Sequence, residues 1–264
     1  MKKRIFLLMV ITLLTTVGMT AATPITLAKG SKAGLYISYE GLKSSDNFVD
    51  NACLTFDGSN WTSETALNWK NLYSWAGFYA YCPYIEEVKD AQSATFSVRE
   101  DQSTVSAITV SDFLYGNIGA NPQDGLPKLP LRHLFSKLVL TVQAGDGFTD
   151  SELSQGALNV IVKNVCTRAR INLENGDVRS EGTLKDIKAC EAGPLSFSAV
   201  VVPQRVGKLS VVWNNIEYVV SVERDFGSGK VYTLTATLKK TAGGINISIG
   251  GWEDSGEDFG GTVN

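Results

Sequence analysis

Residues 230–249 read KVYTLTATLKKTAGGINISI, and this stretch decides the fold class. From Lys230 to Lys239, Tyr232, Leu234, Ala236 and Leu238 alternate with Val231, Thr233, Thr235, Thr237 and Lys239. A period of two marks a strand with one face buried and the other solvated. Thr241-Ala242-Gly243-Gly244 then supplies a turn, after which Ile245, Ile247 and Ile249 alternate with Asn246, Ser248 and Gly250. The expectation is a β-hairpin whose last strand is short and β-branched. Trp252 and an acidic, glycine-rich tail follow. A strand placed there completes its own sheet, or leaves it and completes a neighbour's.

Upstream, strand patterns recur at short spacing: Lys137 to Val142, Leu158 to Lys163, Ala169 to Leu173, Leu195 to Val202, Leu209 to Trp213 and Ile216 to Val222. Turn signals separate them, the sharpest being Asn214-Asn215, because asparagine tolerates positive φ. Ala33 to Tyr39 alternates in the same way, and Asp57-Gly58 joins two short strands ending at Phe56 and beginning at Trp61. The only helical turn expected lies between Ser63 and Trp75. The fold class is all-β, and strands at this spacing argue for sandwiches.

Asn121 to Pro130, NPQDGLPKLP, holds three prolines and a glycine. Proline donates nothing to a ladder, so a strand interior is excluded there. The stretch reads as a connector between an N-terminal β-sandwich, residues 23–130, and a C-terminal one, residues 131–264. Residues 1–22 read as a secretory signal: Lys2-Lys3-Arg4, an apolar run from Ile5 to Val17, and cleavage after Ala22 with Thr20 at −3. That run is too short to span a bilayer, which takes about 20 residues. An exported protein is expected, and the first cysteine, Cys53, lies far from any lipid-attachment position.

Losing the three signal cations takes the formal net charge from −3 to −6. No basic patch suited to phosphates remains, which excludes nucleic acid as a partner. Disulfides persist in exported chains, and the four cysteines allow three pairings. Two domains favour Cys53 with Cys82 and Cys166 with Cys190; buried thiols acting as small apolar residues are the alternative.

No motif carries catalytic or cofactor chemistry. His133 is the single histidine, which closes off histidine-rich metal sites and leaves a structural role at the entry to a strand. Gly227-Ser228-Gly229-Lys230 imitates a phosphate loop, but Arg224 and Val231 stand where that motif needs glycine and a hydroxyl residue. Glu253, Asp254, Glu257 and Asp258 lack the spacing of a calcium loop. The positive signal is aromatic: Trp61, Trp69, Tyr73, Trp75, Phe78, Tyr79, Tyr81 and Tyr84 lie close together. Trp61, Trp69 and Trp75, with Asn60, Asn68 and Asn71, are a candidate glycan platform; the other reading makes these rings core and seam.

The order PLRHLFSKLVLTV (130–142), AVVVPQ (199–204), GKVYTLTATL (229–238) and INISIGGWED (245–254) resembles the fimbrillin-like family, which includes type V pilins. FYAYCPY (78–84) and SDFLYGN (111–117) resemble its N-terminal half more loosely. The resemblance implies two tandem transthyretin-like sandwiches and a stalk, anchor or tip subunit of a fimbria at the cell surface and outer membrane, supporting adhesion. It implies fimbrial subunits, self or related, as partners, with a host or matrix glycan or protein as a further one, and no cofactor. In that family a protease removes an N-terminal strand and the groove accepts a neighbour's strand. Carried over, the displaced strand lies in Thr23 to Tyr39, and the donor is Ile245, Ile247 and Ile249 with Trp252. No arginine lies between Arg4 and Arg99, so Lys29 and Lys32 are the candidate maturation sites. The runner-up is a surface carbohydrate-binding protein that does not polymerise.

Overall fold

The computed structural model describes residues 27–125 and 127–249 and the backbone of residues 253–258. The signal segment with Ala22, and Trp252, lie outside the described residues. The first half supplies β1 (Lys32–Ser38), β2 (Val49–Phe56), β3 (Trp61–Ser63), β4 (Ala76–Cys82), β5 (Ala94–Ser97), helix α1 (Val105–Ser111), β6 (Leu114–Ala120) and β7 (Arg132–His133). The second supplies β8 (Ser136–Ala144), helix α2 (Asp150–Gln155), β9 (Leu158–Ile171), β10 (Val178–Lys188), β11 (Cys190–Gly193) and β12 (Ser196–Val201). It continues with β13 (Gln204–Trp213), β14 (Ile216–Phe226), β15 (Lys230–Thr241), β16 (Gly244–Ile249) and β17 (Glu253–Asp258). The chain is predominantly β, as its alternation requires.

Three sheets form. The first runs β3-β2-β1-β4-β6-β7, the second β10-β9-β13-β14 with β5 added to β9, and the third β11-β12-β8-β15-β16 with β17 also on β15. Both faces of the first sheet are buried. Ala33, Leu35, Ile37, Leu54, Phe78 and Ala80 face an outer core, while Tyr36, Tyr81 and Tyr115 on the opposite face join a main core shared with the second half. Strand alternation divides the two sets. Gly34 stands opposite Tyr81, whose ring lies 2.3 Å from where a Cβ on Gly34 would be, so the row accepts one large ring only because the facing position has no side chain.

Among the described residues, loops rather than a second sheet cover the outer face, with Leu67, Leu129 and Leu131 as the covering side chains beside Trp61 of β3. The proline-rich stretch is therefore no free connector. Its prolines keep it out of a ladder, but Leu129 and Leu131 are fully buried, and the Pro130 carbonyl lies 1.9 Å from where a Cβ on Gly116 would stand. The chain then stays in the first sheet as β7 before entering the third.

The halves are also joined by hydrogen bonds. β5 pairs antiparallel with β9, from Ala94↔Ile171 to Ser97↔Arg168. Where β13 stops short along the same edge, the Gln204 amide takes over: its Oε1 accepts from Cys166 N–H at 2.7 Å and its Nε2 donates to Cys166 C=O at 2.8 Å. Further along, the Tyr115 hydroxyl and the Asn117 amide both donate to the Glu174 carbonyl.

The expected hairpins form. Asn214 and Asn215 both take positive φ, +49° and +65°, in the turn between Trp213 and Ile216. Leu158 to Lys163 and Ala169 to Ile171 belong to one strand, β9, whose register against β10 shifts around Asn164, with φ +54°. No helix forms between Ser63 and Trp75. The helix α2 instead begins at a capping box in which Thr149 and Glu152 satisfy each other's backbone N–H groups.

Candidate functional site

The terminal hairpin folds onto its own sheet. β15 lies between β8, parallel with Val231↔Lys137 to Leu238↔Ala144, and β16, antiparallel with Ala236↔Ile249 to Thr241↔Gly244. Ile245, Ile247 and Ile249 are half-buried against the main core. The candidate donor is thus seated at home, and its other side has no partner strand among the described residues. A row of unmatched N–H and C=O groups on an edge strand is a template for another chain.

At the other end, Lys29 is exposed in the turn before β1, with Gly30 at φ +91°. Lys32 differs: it begins β1, pairs with Thr55, and its carbonyl accepts from Tyr84 N–H at 3.0 Å. β1 lies inside the first sheet, bonded to β2 and β4 on its two sides. β1, which lies within the span Thr23 to Tyr39 where the displaced strand is expected, contributes Leu35 and Ile37 to one core and Tyr36 to the other.

The aromatic cluster splits along strand faces and loops. Trp61 is 1% exposed and belongs to the outer core, packed on Phe56 at 5.3 Å. Trp69 is half-buried and edge-on to Phe78 at 5.3 Å. Buried Trp61 presents no face for a sugar, which takes it out of the three-tryptophan platform. Trp75 is 62% and Tyr73 78% exposed. The loop carrying them is held by Asn71, whose Oδ1 accepts from both Tyr73 N–H and Ser74 N–H at 2.8 Å. Lys70 closes the loop's start, its N–H donating to the Tyr39 hydroxyl at 2.7 Å.

All four cysteines are free thiols, in place of the two expected bridges. Cys53, Gly34 and Tyr81 form one row across three strands, so Cys82, next to Tyr81, points to the opposite face. Cys166 belongs to the second sheet and Cys190 to the third. Burial, with the Asp112 carboxylate adding to it, pushes the Cys82 thiol up to about 12, which makes it unreactive.

His133 is buried, with Nδ1 2.6 Å from Asp112 Oδ2. Asp112 caps the end of α1, and Leu134 N–H donates to Phe113 C=O at 2.8 Å, so the histidine sits where α1, β6 and β7 meet. No group of three histidine, cysteine or carboxylate side chains suited to a metal occurs among the described residues. Sequence reasoning missed the short edge strand β11 and Gln102, whose amide bonds to β12. No local signal announces either, since a glutamine that stands in for a strand looks like any surface glutamine.

A chain built on three β-sheets, the third of them carrying a terminal hairpin, is a β-structural protein. It belongs to the fimbrillin-like family, whose pattern matches residues 20–252. Its fold is similar to that of a Bacteroides uniformis protein proposed to act in cell adhesion, with 22% identity, TM-score 0.72, and 95% of this chain and 98% of that one covered. A Bacteroides ovatus protein described in the same terms has 16% identity and TM-score 0.68, with 95% and 96% covered. A fimbrial protein of Bacteroides ovatus has 20% identity and TM-score 0.54, covering 83% of this chain and 45% of that one. No curated protein matches the sequence.

Proposed function

We propose that this chain is a structural subunit of a fimbria at the outer surface of the cell, assembling with its own or related subunits by β-strand exchange and supporting adhesion. Membership of the fimbrillin-like family supports the reading. The observation that carries it is β16: a strand near the end of the chain, held by one ladder and three half-buried isoleucines. Backbone bonds supply affinity in strand addition, and alternate side chains supply fit. A glycine pair, Gly243-Gly244 with φ +120° at Gly244, is the hinge on which it swings. In this reading the chain divides near residue 130 into two transthyretin-like units. Sheet membership supports that division, since every strand before residue 130 except β5 lies in one sheet, which β7 just beyond that point completes.

The test is a lysine-specific digest of the purified protein. Cleavage after Lys29, with Lys32 spared, should release a short N-terminal piece and give a ladder of oligomers on a non-boiled denaturing gel. Deleting 244–264 should abolish the ladder while leaving a folded protein; a ladder that survives the deletion rules out β16 as donor.

A second reading rests on Tyr73 and Trp75, two exposed rings on a braced loop. Rings of this kind stack on pyranose faces, and a glycan array on wild type and Trp75→Ala tests it.

A further inference from the structure

β4 and β6 are neighbours in the first sheet, paired without a break from Ala76↔Ala120 to Cys82↔Leu114. The chain between them, residues 83–113, therefore leaves the sheet at Cys82 and returns opposite the same point. It closes no hairpin there. It reaches across to the second half, where it forms β5 and α1.

The reach ends in a fitted place. On one side of β9, β13 covers only residues 158–163. Further along, β5 pairs with residues 168–171, while β10 holds those same residues from the other side. The backbone contact continues past both ends of β5. Leu173 N–H donates to Ala91 C=O at 2.9 Å, and Val98 N–H donates to Thr167 C=O at 2.8 Å. Lys188 N–H donates to Glu100 C=O at 2.8 Å, and Gln102 N–H donates to Lys188 C=O at 2.9 Å. Ala94, Phe96 and Val98 face the main core, while Thr95, Ser97 and Arg99 are exposed, the alternation of a half-buried strand. Lys185 Nζ meets Glu100 Oε1 at 2.9 Å, and α1 packs on β11 and β12. Removing this arm would leave residues 168–171 and 178–181 as a ribbon of two strands. Such a ribbon is marginal in water, and Ala169 and Ile171, both fully buried, would lose the cover of Phe96 and Ala94.

We propose that the second half contains a peptide-binding groove bounded by β9, β10 and β12, and that residues 91–102 are its resident ligand, bound in cis. The ligand class is an extended peptide with apolar side chains at alternate positions and a glutamine at its end. Ladder bonds supply its affinity, and the alternate side chains supply fit. The inference goes beyond subunit assembly, because it holds for a single chain whether or not subunits exchange strands. The filled groove ties the two halves into one body. It also covers a stretch of the β9 edge that would otherwise be a template for a foreign strand.

The test places cleavage sites for a sequence-specific protease after Glu87 and after Ser103, both exposed, in the full chain. After both cuts, residues 88–103 should stay bound through size-exclusion chromatography, leave in urea, and rebind saturably as a synthetic peptide. A peptide carrying Val98→Asp should bind about a hundredfold more weakly, because its carboxylate finds no partner in an apolar pocket. In the emptied protein, amides of residues 168–171 and 178–181 should exchange with solvent about a hundredfold faster, while β1 and β2 keep their protection. Val98→Asp in the uncut chain is a second probe, and the same amides should exchange about tenfold faster with β1 and β2 unchanged. Loss of the cut segment with exchange in β9 and β10 as in the uncut protein overturns the proposal. So does a segment that never rebinds. Unfolding of both halves together, by the cuts or by Val98→Asp, would make residues 91–102 part of one undivided core and overturns it as well.

Discussion

Gln102 and Val200, 98 positions apart, exchange both hydrogen bonds that neighbouring strand residues exchange: Val200 N–H donates to Gln102 Oε1 at 2.8 Å, and Gln102 Nε2 donates to the Val200 carbonyl at 2.8 Å. The glutamine is fully buried, and its Nε2 also donates to the Arg99 carbonyl at 3.1 Å. It ends the free edge of β12 where β11 does not reach.

Replacing Gln102 with methionine keeps the volume and leaves buried Val200 groups unpaired. Each orphaned group costs about 1–3 kcal/mol, so urea denaturation should show a loss of about 2–6 kcal/mol for the two Val200 groups. A loss below about 0.5 kcal/mol would mean that water or another group serves β12 there.

Gly34→Ala drives a methyl group into the Tyr81 ring in the centre of the first sheet. Overpacking of a core costs about 1–3 kcal/mol. The same change in a Tyr81→Leu background should cost less, and a double-mutant cycle on thermal unfolding reads the difference. Equal costs in both backgrounds would separate the two residues.

Trp61→Ala removes a buried ring and should cost about 3–5 kcal/mol. Trp75→Ala should stay within about 0.5 kcal/mol, as at other exposed positions. Melting curves of the two variants decide which tryptophan belongs to the core, and a large loss at Trp75 would remove it as a ligand-facing ring.

Alkali should unfold the protein through its tyrosines. Burial, the largest cause at each site, pushes the hydroxyls of Tyr36, Tyr81 and Tyr115 above the ordinary 10.0. Asp50 adds to this at Tyr36 and Tyr36 adds to it at Tyr81. The unfolded chain gives up these protons first, so their contribution is complete below pH 10 and falls as the pH climbs from there toward the raised values. Absorbance of phenolate against pH should show these tyrosines ionising together with loss of circular dichroism; free titration in the folded state would contradict their burial.

The hairpin of β15 and β16 and the Asn214-Asn215 turn were legible because alternation and turn chemistry are local. β10 was not: five of its eleven residues are charged, and most of them face water, so no apolar alternation marks it. The aromatic run from Trp61 to Tyr84 shows the same limit at the candidate site. Composition groups Trp61 with Trp75, but register and loop geometry send one into the outer core and the other to the surface. β5 on β9 and Gln102 on β12 are contacts between distant segments, and a window of neighbouring residues holds no trace of the partner. The paired cysteines failed for a related reason, since face, not proximity in sequence, decides which thiols meet.

The parallel pairing of β8 with β15 sets a timetable for folding. Residues 137–144 wait for residues 231–238 before the middle of the third sheet exists. Contacts so far apart in sequence slow folding, because the intervening chain must be ordered before they form. A chain emerging from the ribosome therefore lacks the middle of its third sheet until residue 238 has been made, which leaves the apolar face of β8 uncovered through most of synthesis.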